Sequence, residues 1–79
     1  MITKNDVRDR ALHLCEFLEF ITDTKVLVCA EGDLSVKFMA ANGSASPLYV
    51  SGSTLRDLYD SMCAIEDAIS FTIEAGRED

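Results

Sequence analysis

The side chains that could perform nucleophilic or metal chemistry are few: His13, the single histidine, and Cys15, Cys29 and Cys63. A nucleophile pair would have to use His13, but Cys15, two residues further on, points to another side of the same predicted helix. Zinc ligands usually come in close pairs, whereas these cysteines are 14 and 34 residues apart. We therefore expect no enzymatic activity, no metal and no other cofactor. We interpret the cysteines as free, buried thiols in a reducing cytoplasm.

Carboxylates are the abundant polar group of this chain, and they are unevenly distributed. The chain has 14 acidic and 7 basic residues, a net charge of −7. Residues 1–52 contain seven acids and five bases, whereas residues 53–79 contain seven acids and two bases, a net charge of −5. An acidic surface of this kind favours a basic partner and argues against direct binding of nucleic acid.

Four acids fall on the outward side of the last predicted helix. Asp60, Asp67 and Glu74 are seven residues apart, and Asp57 lies to one side of them. Successive members are therefore about 10 Å apart along the axis, whereas DNA has one charge per about 1.7 Å. This spacing favours docking on a protein surface rich in Lys and Arg over a copy of a phosphate backbone. The alternative is a solvated helix face that only keeps the protein soluble.

The predicted first hairpin extends this acidic surface. Glu31 and Asp33 lie at its turn and are the second set of expected contacts with a basic partner.

The first element that positions these groups is a helix from Asn5 to Thr22, with Asn5 or Asp6 as its N-cap. Its apolar residues recur at intervals of four and three, as on one face of a helix: Val7, Ala11, Leu14, Leu18 and Ile21. His13 falls on the polar side, near Asp9 and Phe20, which predicts a solvated surface histidine.

The second helix is predicted from Thr54 to Ala75, with Ser53 as its N-cap and Gly76 as its C-terminal cap. Thr54 followed by Asp57 also reads as a variant of the capping box. Its apolar stripe consists of Leu55, Leu58, Met62, Ile65 and Ile69. The last three residues, 77–79, are predicted to be a frayed tail.

Between the helices, the residues from Lys25 to Glu31 and from Leu34 to Ala40 read as two strands joined by a two-residue Gly32-Asp33 turn. Counting back from this turn pairs Cys29 with Val36 and Leu27 with Phe38. It places one apolar face towards the core. The opposite, outer face then carries Val26, Val28 and Met39.

The third strand is predicted from Leu48 to Ser51, at a sheet edge because Pro47 precedes it. A tight turn at Asn42-Gly43 would bury Tyr49. A register slipped by one residue would bury Leu48 and Val50 instead. We favour the slipped register because it buries more apolar surface.

The expected fold is α+β: a single domain, 1–79, with the order α-β-β-β-α. Both helices lie on one face of a three-stranded antiparallel sheet, in two layers. A chain of 79 residues has a small core, and an oligomer is a common remedy. No apolar run approaches the roughly 20 residues that span a bilayer, and we expect no membrane partner.

Several apolar residues do not fit this core. Phe17 and Phe20 lie off the stripe of the first helix, and Phe71 lies opposite the stripe of the last helix. Together with the outer sheet face, these side chains predict a protein interface or a homodimer contact.

The order α-β-β-β-α is also that of double-stranded RNA-binding domains. Those domains have a Lys-rich start to the last helix, whereas Ser53 to Asp60 reads Ser-Thr-Leu-Arg-Asp-Leu-Tyr-Asp here. These acids would repel phosphate, so RNA binding is excluded. In size, acidity and mixed α/β content the chain resembles small phage-encoded inhibitors of host defence, including acidic anti-CRISPR proteins. That resemblance implies a protein of the host cytoplasm that occupies a basic nucleic-acid channel or blocks subunit assembly.

The expected function is therefore a non-enzymatic acidic interaction protein that binds a basic protein surface, which could belong to a nucleic-acid-handling complex. The alternative is a structural or adaptor module that forms a homodimer through the apolar outer face of its sheet.

Overall fold

The computed structural model describes residues 1–77, except for the side chain of Arg77. The element order is α1 (Lys4–Thr22), β1 (Val26–Ala30), β2 (Ser35–Ala40), β3 (Leu48–Ser51) and α2 (Leu55–Arg77). The strands form an antiparallel sheet in the order β1-β2-β3. Helix α1 packs on β1, α2 packs on β3, and the helices pack against each other. The predicted α+β fold is confirmed.

The two helices run in the same direction along the sheet. Arg10, in the first half of α1, meets Tyr59 near the start of α2, and Ile21 at the end of α1 lies beside Ile69 and Ile73. Both helices therefore begin at the end of the sheet where β1 turns into β2. Neither helix is long and apolar enough, within the described residues, to cross a membrane.

Helix α1 begins one residue earlier than the sequence predicts, because its cap is Thr3. The Thr3 hydroxyl accepts a hydrogen bond from the Asp6 backbone N–H (3.2 Å), and the Asp6 carboxylate accepts one from the Thr3 N–H (2.9 Å). This reciprocal pair is a capping box. The prediction of Asn5 or Asp6 as the N-cap was wrong, since Asp6 is the third helical residue. The helix ends at Thr22, and its C-cap, Asp23, adopts a left-handed conformation (φ 53°).

The β1–β2 connection is one residue longer than predicted. This extra residue exchanges the side chains of β1 that face the core with those that face outward. The Glu31 N–H bonds to the Ser35 carbonyl (2.9 Å), so the loop consists of residues 32–34. The observed pairs include Val28 with Phe38, not Leu27 with Phe38. Because side chains alternate across a strand, one residue of slip exchanges the two faces.

As a result, Val26 and Val28 pack against the core, and their predicted place on the outer sheet face was wrong. Leu27 and Cys29 face outward instead and are exposed. Met39 pairs with Leu27 and lies on the outer face, as predicted.

The slipped register of β3 is confirmed. Val50 pairs with Val36 and Leu48 with Phe38; Val50 is buried and Leu48 packs on the core. Tyr49 consequently points outward and is 64% exposed. β3 forms an edge of the sheet, as Pro47 predicted.

Both predicted ends of α2 were wrong by a small margin. The Thr54 hydroxyl accepts a hydrogen bond from the Asp57 N–H (3.1 Å), as the predicted pairing of these two residues implies. Thr54, not Ser53, therefore caps the helix, which begins at Leu55. The helix continues through Gly76 to Arg77, so Gly76 does not terminate it. The rest of the predicted frayed tail, Glu78 and Asp79, lies outside the described residues.

The core lies between the sheet and the first halves of both helices. Its most completely buried side chains are Leu14, Phe38, Leu58 and Met62. Burying a side chain of this size stabilises the fold by about 1.5–3 kcal/mol. Met62 is the last buried residue of α2 within the described part of the chain, and Ile65, in the next turn, still packs against the core.

Helix α1 also closes part of the β1 edge. The Glu19 carboxylate accepts a hydrogen bond from the Val26 N–H (2.9 Å), and the Cys15 thiol donates one to the Val26 carbonyl (3.2 Å). The backbone groups of Val26 point away from β2, because the neighbouring Lys25 carbonyl is the one that accepts a hydrogen bond from the N–H of Ala41, directly after β2 (2.9 Å).

Candidate functional site

The acidic side of α2 is open to solvent over most of the helix. We call its members the acidic stripe: Asp57, Asp60, Asp67 and Glu74, all of which are exposed. Their positions on a helix that is regular from Leu55 onward give the predicted spacing of about 10 Å between Asp60, Asp67 and Glu74.

Ion pairing neutralises little of this stripe. Asp60 lies 3.7 Å from the Nε of Arg56, one turn earlier, and both side chains are exposed. Such exposed pairs stabilise a protein by only about 0.3–0.5 kcal/mol. Asp57 and Asp67 have no Lys or Arg nitrogen within 4.0 Å among residues 1–76. The stripe therefore presents carboxylates that are free to pair with an outside cation.

The two hairpin acids, Glu31 and Asp33, are exposed and lie on a different element from the acidic stripe. Glu31 binds the ammonium group of Lys37 at 3.1 Å. This hydrogen bond and the charge of Glu31 raise the pKa of Lys37. Asp33 lies in the loop itself, next to an apolar groove between the hairpin and the helices. Of the two, Glu31 is thus already partly neutralised within the protein.

The three phenylalanines differ in their surroundings. Phe71 is 74% exposed and lies within the acidic stripe, four residues after Asp67 and three before Glu74. Phe20 is 83% exposed, near the end of α1. Phe17 packs against the core, so its predicted role as an uncovered interface residue was wrong.

The outer face of the sheet is partly apolar, and its composition differs from the predicted one. It carries Leu27, which is 43% exposed, Met39 and Tyr49, around the Lys37–Glu31 pair. Leu27 and Tyr49 were missed as candidate interface residues. The length of the hairpin loop decides the orientation of Leu27. Tyr49 points outward in the slipped register, but no sequence pattern marks it as an interface residue.

A polar cluster joins the two helices, and the sequence did not predict it. The Arg10 guanidinium donates to the Tyr59 hydroxyl (3.4 Å) and lies 3.8 Å from the Glu66 carboxylate. His13 Nε2 is 3.6 Å from the other carboxylate oxygen of Glu66. The hydrogen bond to Tyr59 is the largest cause that raises the pKa of Arg10. Glu66 therefore belongs to the helix–helix contact and does not join the acidic stripe.

His13 is half-exposed within this cluster and is not paired with Cys15, whose thiol points to β1. The three cysteines are free, as predicted, but only Cys15 is buried. Cys63 is half-buried and Cys29 is exposed, so the prediction of three buried thiols was wrong. Within residues 1–77, no group of three or more His, Cys, Asp or Glu side chains is arranged to hold a metal ion.

The molecule thus offers two surfaces of different character: an acidic helix face that includes Phe71, and a sheet face on which apolar side chains surround an ion pair. The chain was compared with protein-family models, with curated proteins and with solved structures, and none of the three comparisons finds a match.

Proposed function

We propose that this protein is a non-enzymatic interaction protein that binds a basic protein surface through the acidic stripe of α2. The observation that carries the proposal is the exposure of Asp57 and Asp67 without an intramolecular cation among residues 1–76. Their charge is available to a partner without first breaking an internal ion pair. The resemblance to small acidic phage-encoded inhibitors suggests a basic, nucleic-acid-handling complex in the host cytoplasm as the target.

The spacing of the stripe indicates what the partner must present. Carboxylates about 10 Å apart match Lys and Arg side chains distributed over a protein surface better than they match the dense charge of a nucleic acid. Phe71, between Asp67 and Glu74, adds an apolar contact of the kind found at the centre of protein interfaces. The expected complex is steered by charge and anchored by an aromatic ring.

The test is capture of partners from the native host at low and at high salt. The wild type is compared with the double variant Asp60→Lys/Asp67→Lys, which changes the net charge by four. We expect binding that weakens steeply with salt and is lost in the double variant. A matched control, Asp9→Lys/Glu16→Lys, makes the same charge change at exposed positions of α1. If both double variants bind as the wild type does, or both lose binding equally, the stripe is not the site.

The second candidate function is a homodimerising module, and the exposed side chains of Leu27 and Tyr49 favour it. A dimer through the outer sheet face would bury both side chains. The variant Leu27→Glu should then be a monomer by light scattering at a concentration where the wild type is a dimer. A wild type that is monomeric at high concentration would rule this function out.

A further inference from the structure

An apolar groove opens between the first turns of both helices and the β1–β2 hairpin. Its volume is about 490 Å³, within the range of about 300–1,000 Å³ that is typical of small-molecule sites. Its floor consists of core residues: Val7, Ala11, Val36 and Leu58. A ligand in this groove would therefore contact the hydrophobic core directly.

The groove exists because small residues line both of its walls. Ala11 lines the groove on the α1 side. Ala30, the last residue of β1, and Gly32, in the hairpin loop, line it on the other side. Gly32 has a φ of 123° and open space where a Cβ would be. A larger side chain at Ala30, which is exposed, would project into the groove without entering the core.

The rim of the groove is basic, although the protein as a whole is acidic. Lys4, Arg8 and Leu12 line it at intervals of four residues along α1. Lys4 and Arg8 are exposed and have no carboxylate oxygen within 4.0 Å among residues 1–77. The opposite wall has one acid, Asp33.

The volume of the groove suits a small or thin occupant. A helix with a diameter of about 10 Å would fill this volume with roughly one turn. A linear alkyl chain is thinner than a helix, so more of its length fits in the same volume. Apolar walls, an apolar floor and two unpaired cations at the rim together match a chain with one anionic end.

We propose that this groove binds a linear amphiphile with an anionic head, of the medium-chain fatty-acid class. The acyl chain lies on the floor beside Val36 and Leu58, and the carboxylate pairs with Lys4 and Arg8. Asp33 disfavours a second negative charge on the ligand. This site is separate from the acidic stripe, and its test does not depend on the proposed binding of a basic protein partner.

The test is an NMR titration of the isotope-labelled protein with decanoate, 1-decanol and decyltrimethylammonium, each below its aggregation concentration. We expect saturable shifts of the Leu12, Ala30 and Val36 amides. Decanoate should bind about 3- to 10-fold more tightly than decanol, as one or two exposed ion pairs allow. The cationic ligand should bind most weakly.

Two variants separate the apolar from the charged contribution. Ala30→Leu should abolish binding of both decanoate and decanol, whereas Cys29→Leu, the neighbouring residue on the outer sheet face, should leave it unchanged. Lys4→Gln/Arg8→Gln should remove the preference for decanoate and keep the binding of decanol. Circular dichroism verifies that each variant is folded. The proposal is overturned by non-saturable shifts, by shifts confined to the outer sheet face, or by a decanoate preference that survives in the Lys4→Gln/Arg8→Gln variant.

Discussion

The guanidinium carbon of Arg10 lies 5.4 Å from the centre of the Tyr59 ring. This contact joins α1 to α2 at the edge of the core, and Glu66 adds a carboxylate on the same guanidinium at 3.8 Å. A cation over an aromatic ring stabilises a protein by about 0.5–1 kcal/mol at an exposed site. The cluster therefore fixes how the two parallel helices are rotated relative to each other.

Replacing Arg10 by alanine should destabilise the protein by about 1–3 kcal/mol, because the Glu66 carboxylate, one oxygen of which is already buried without a hydrogen bond, would lose the guanidinium that lies 3.8 Å from its other oxygen. Urea unfolding followed by circular dichroism measures the change. The matched control is Arg56→Ala, which removes an exposed pair with Asp60 and should cost no more than about 0.5 kcal/mol. Equal losses in the two variants would contradict a structural role for the cluster.

The observed orientation of β1 makes opposite predictions for two adjacent residues. Val28→Glu places a carboxylate against the core and should unfold the protein or cost several kcal/mol, on the order of 3–5. Leu27→Glu places the same group on the outer sheet face and should change stability by less than about 1 kcal/mol. The melting temperatures of both variants, compared with that of the wild type, measure these two effects. A stable Val28→Glu protein together with an unfolded Leu27→Glu protein would mean that β1 has the opposite orientation.

The turn from β3 into α2 requires glycine at position 52 because the backbone approaches too closely for a side chain. A Cβ there would lie 2.6 Å from the Leu58 nitrogen and 2.8 Å from the Asp57 Cβ. Gly52→Ala should therefore cost about 1–3 kcal/mol in the free energy of unfolding. Gly76→Ala, where a Cβ meets open space, should be neutral or stabilising by up to about 1 kcal/mol. A Gly52→Ala protein as stable as the wild type would show that the turn can relax.

Stability should fall at alkaline pH because of Cys15. Burial, followed by the nearby carboxylate of Glu19, raises the pKa of this thiol. Above the ordinary thiol pKa of about 8.5, the unfolded chain releases a proton that the folded protein retains. Unfolding is then favoured as pH rises, by at most about 1.4 kcal/mol per pH unit.

Urea midpoints between pH 7 and 10 test this, with Cys15→Ala as the variant that should lose this part of the pH dependence. The exposed Cys29 provides the control, since Cys29→Ala should keep the wild-type pH dependence. An identical pH dependence in wild type and Cys15→Ala would contradict the prediction.

Sequence patterns predicted the order of the elements and the α+β fold because the helical stripes and the strand composition are strong signals. They also predicted the register of β3, where burying Leu48 and Val50 is clearly better than burying Tyr49. They did not predict the orientation of β1. Both of its faces are apolar, with Val26 and Val28 on one side and Leu27 on the other, so a single loop residue decides which is buried.

The acidic stripe was placed correctly on exposed positions of α2, because a heptad spacing alone determines its side of the helix. The Arg10–Tyr59 contact and the groove under the helix starts were not predictable. Both depend on how two helices and a hairpin are positioned in space, which no local pattern encodes. Thr3 was missed as a cap because its reciprocal bond with Asp6 places the helix start earlier than the apolar pattern does.

The hydrogen bonds between the Val26 backbone and the side chains of Glu19 and Cys15 have a consequence for aggregation. An uncovered edge strand is a template on which other chains can add strands and begin a fibril. Because α1 occupies the first backbone groups of β1, an incoming strand cannot pair along its full length. At the other edge, Pro47 offers no N–H next to a strand of only four residues. Both edges of the sheet are thereby less available to an incoming strand, because of two side chains at one edge and a proline next to the other.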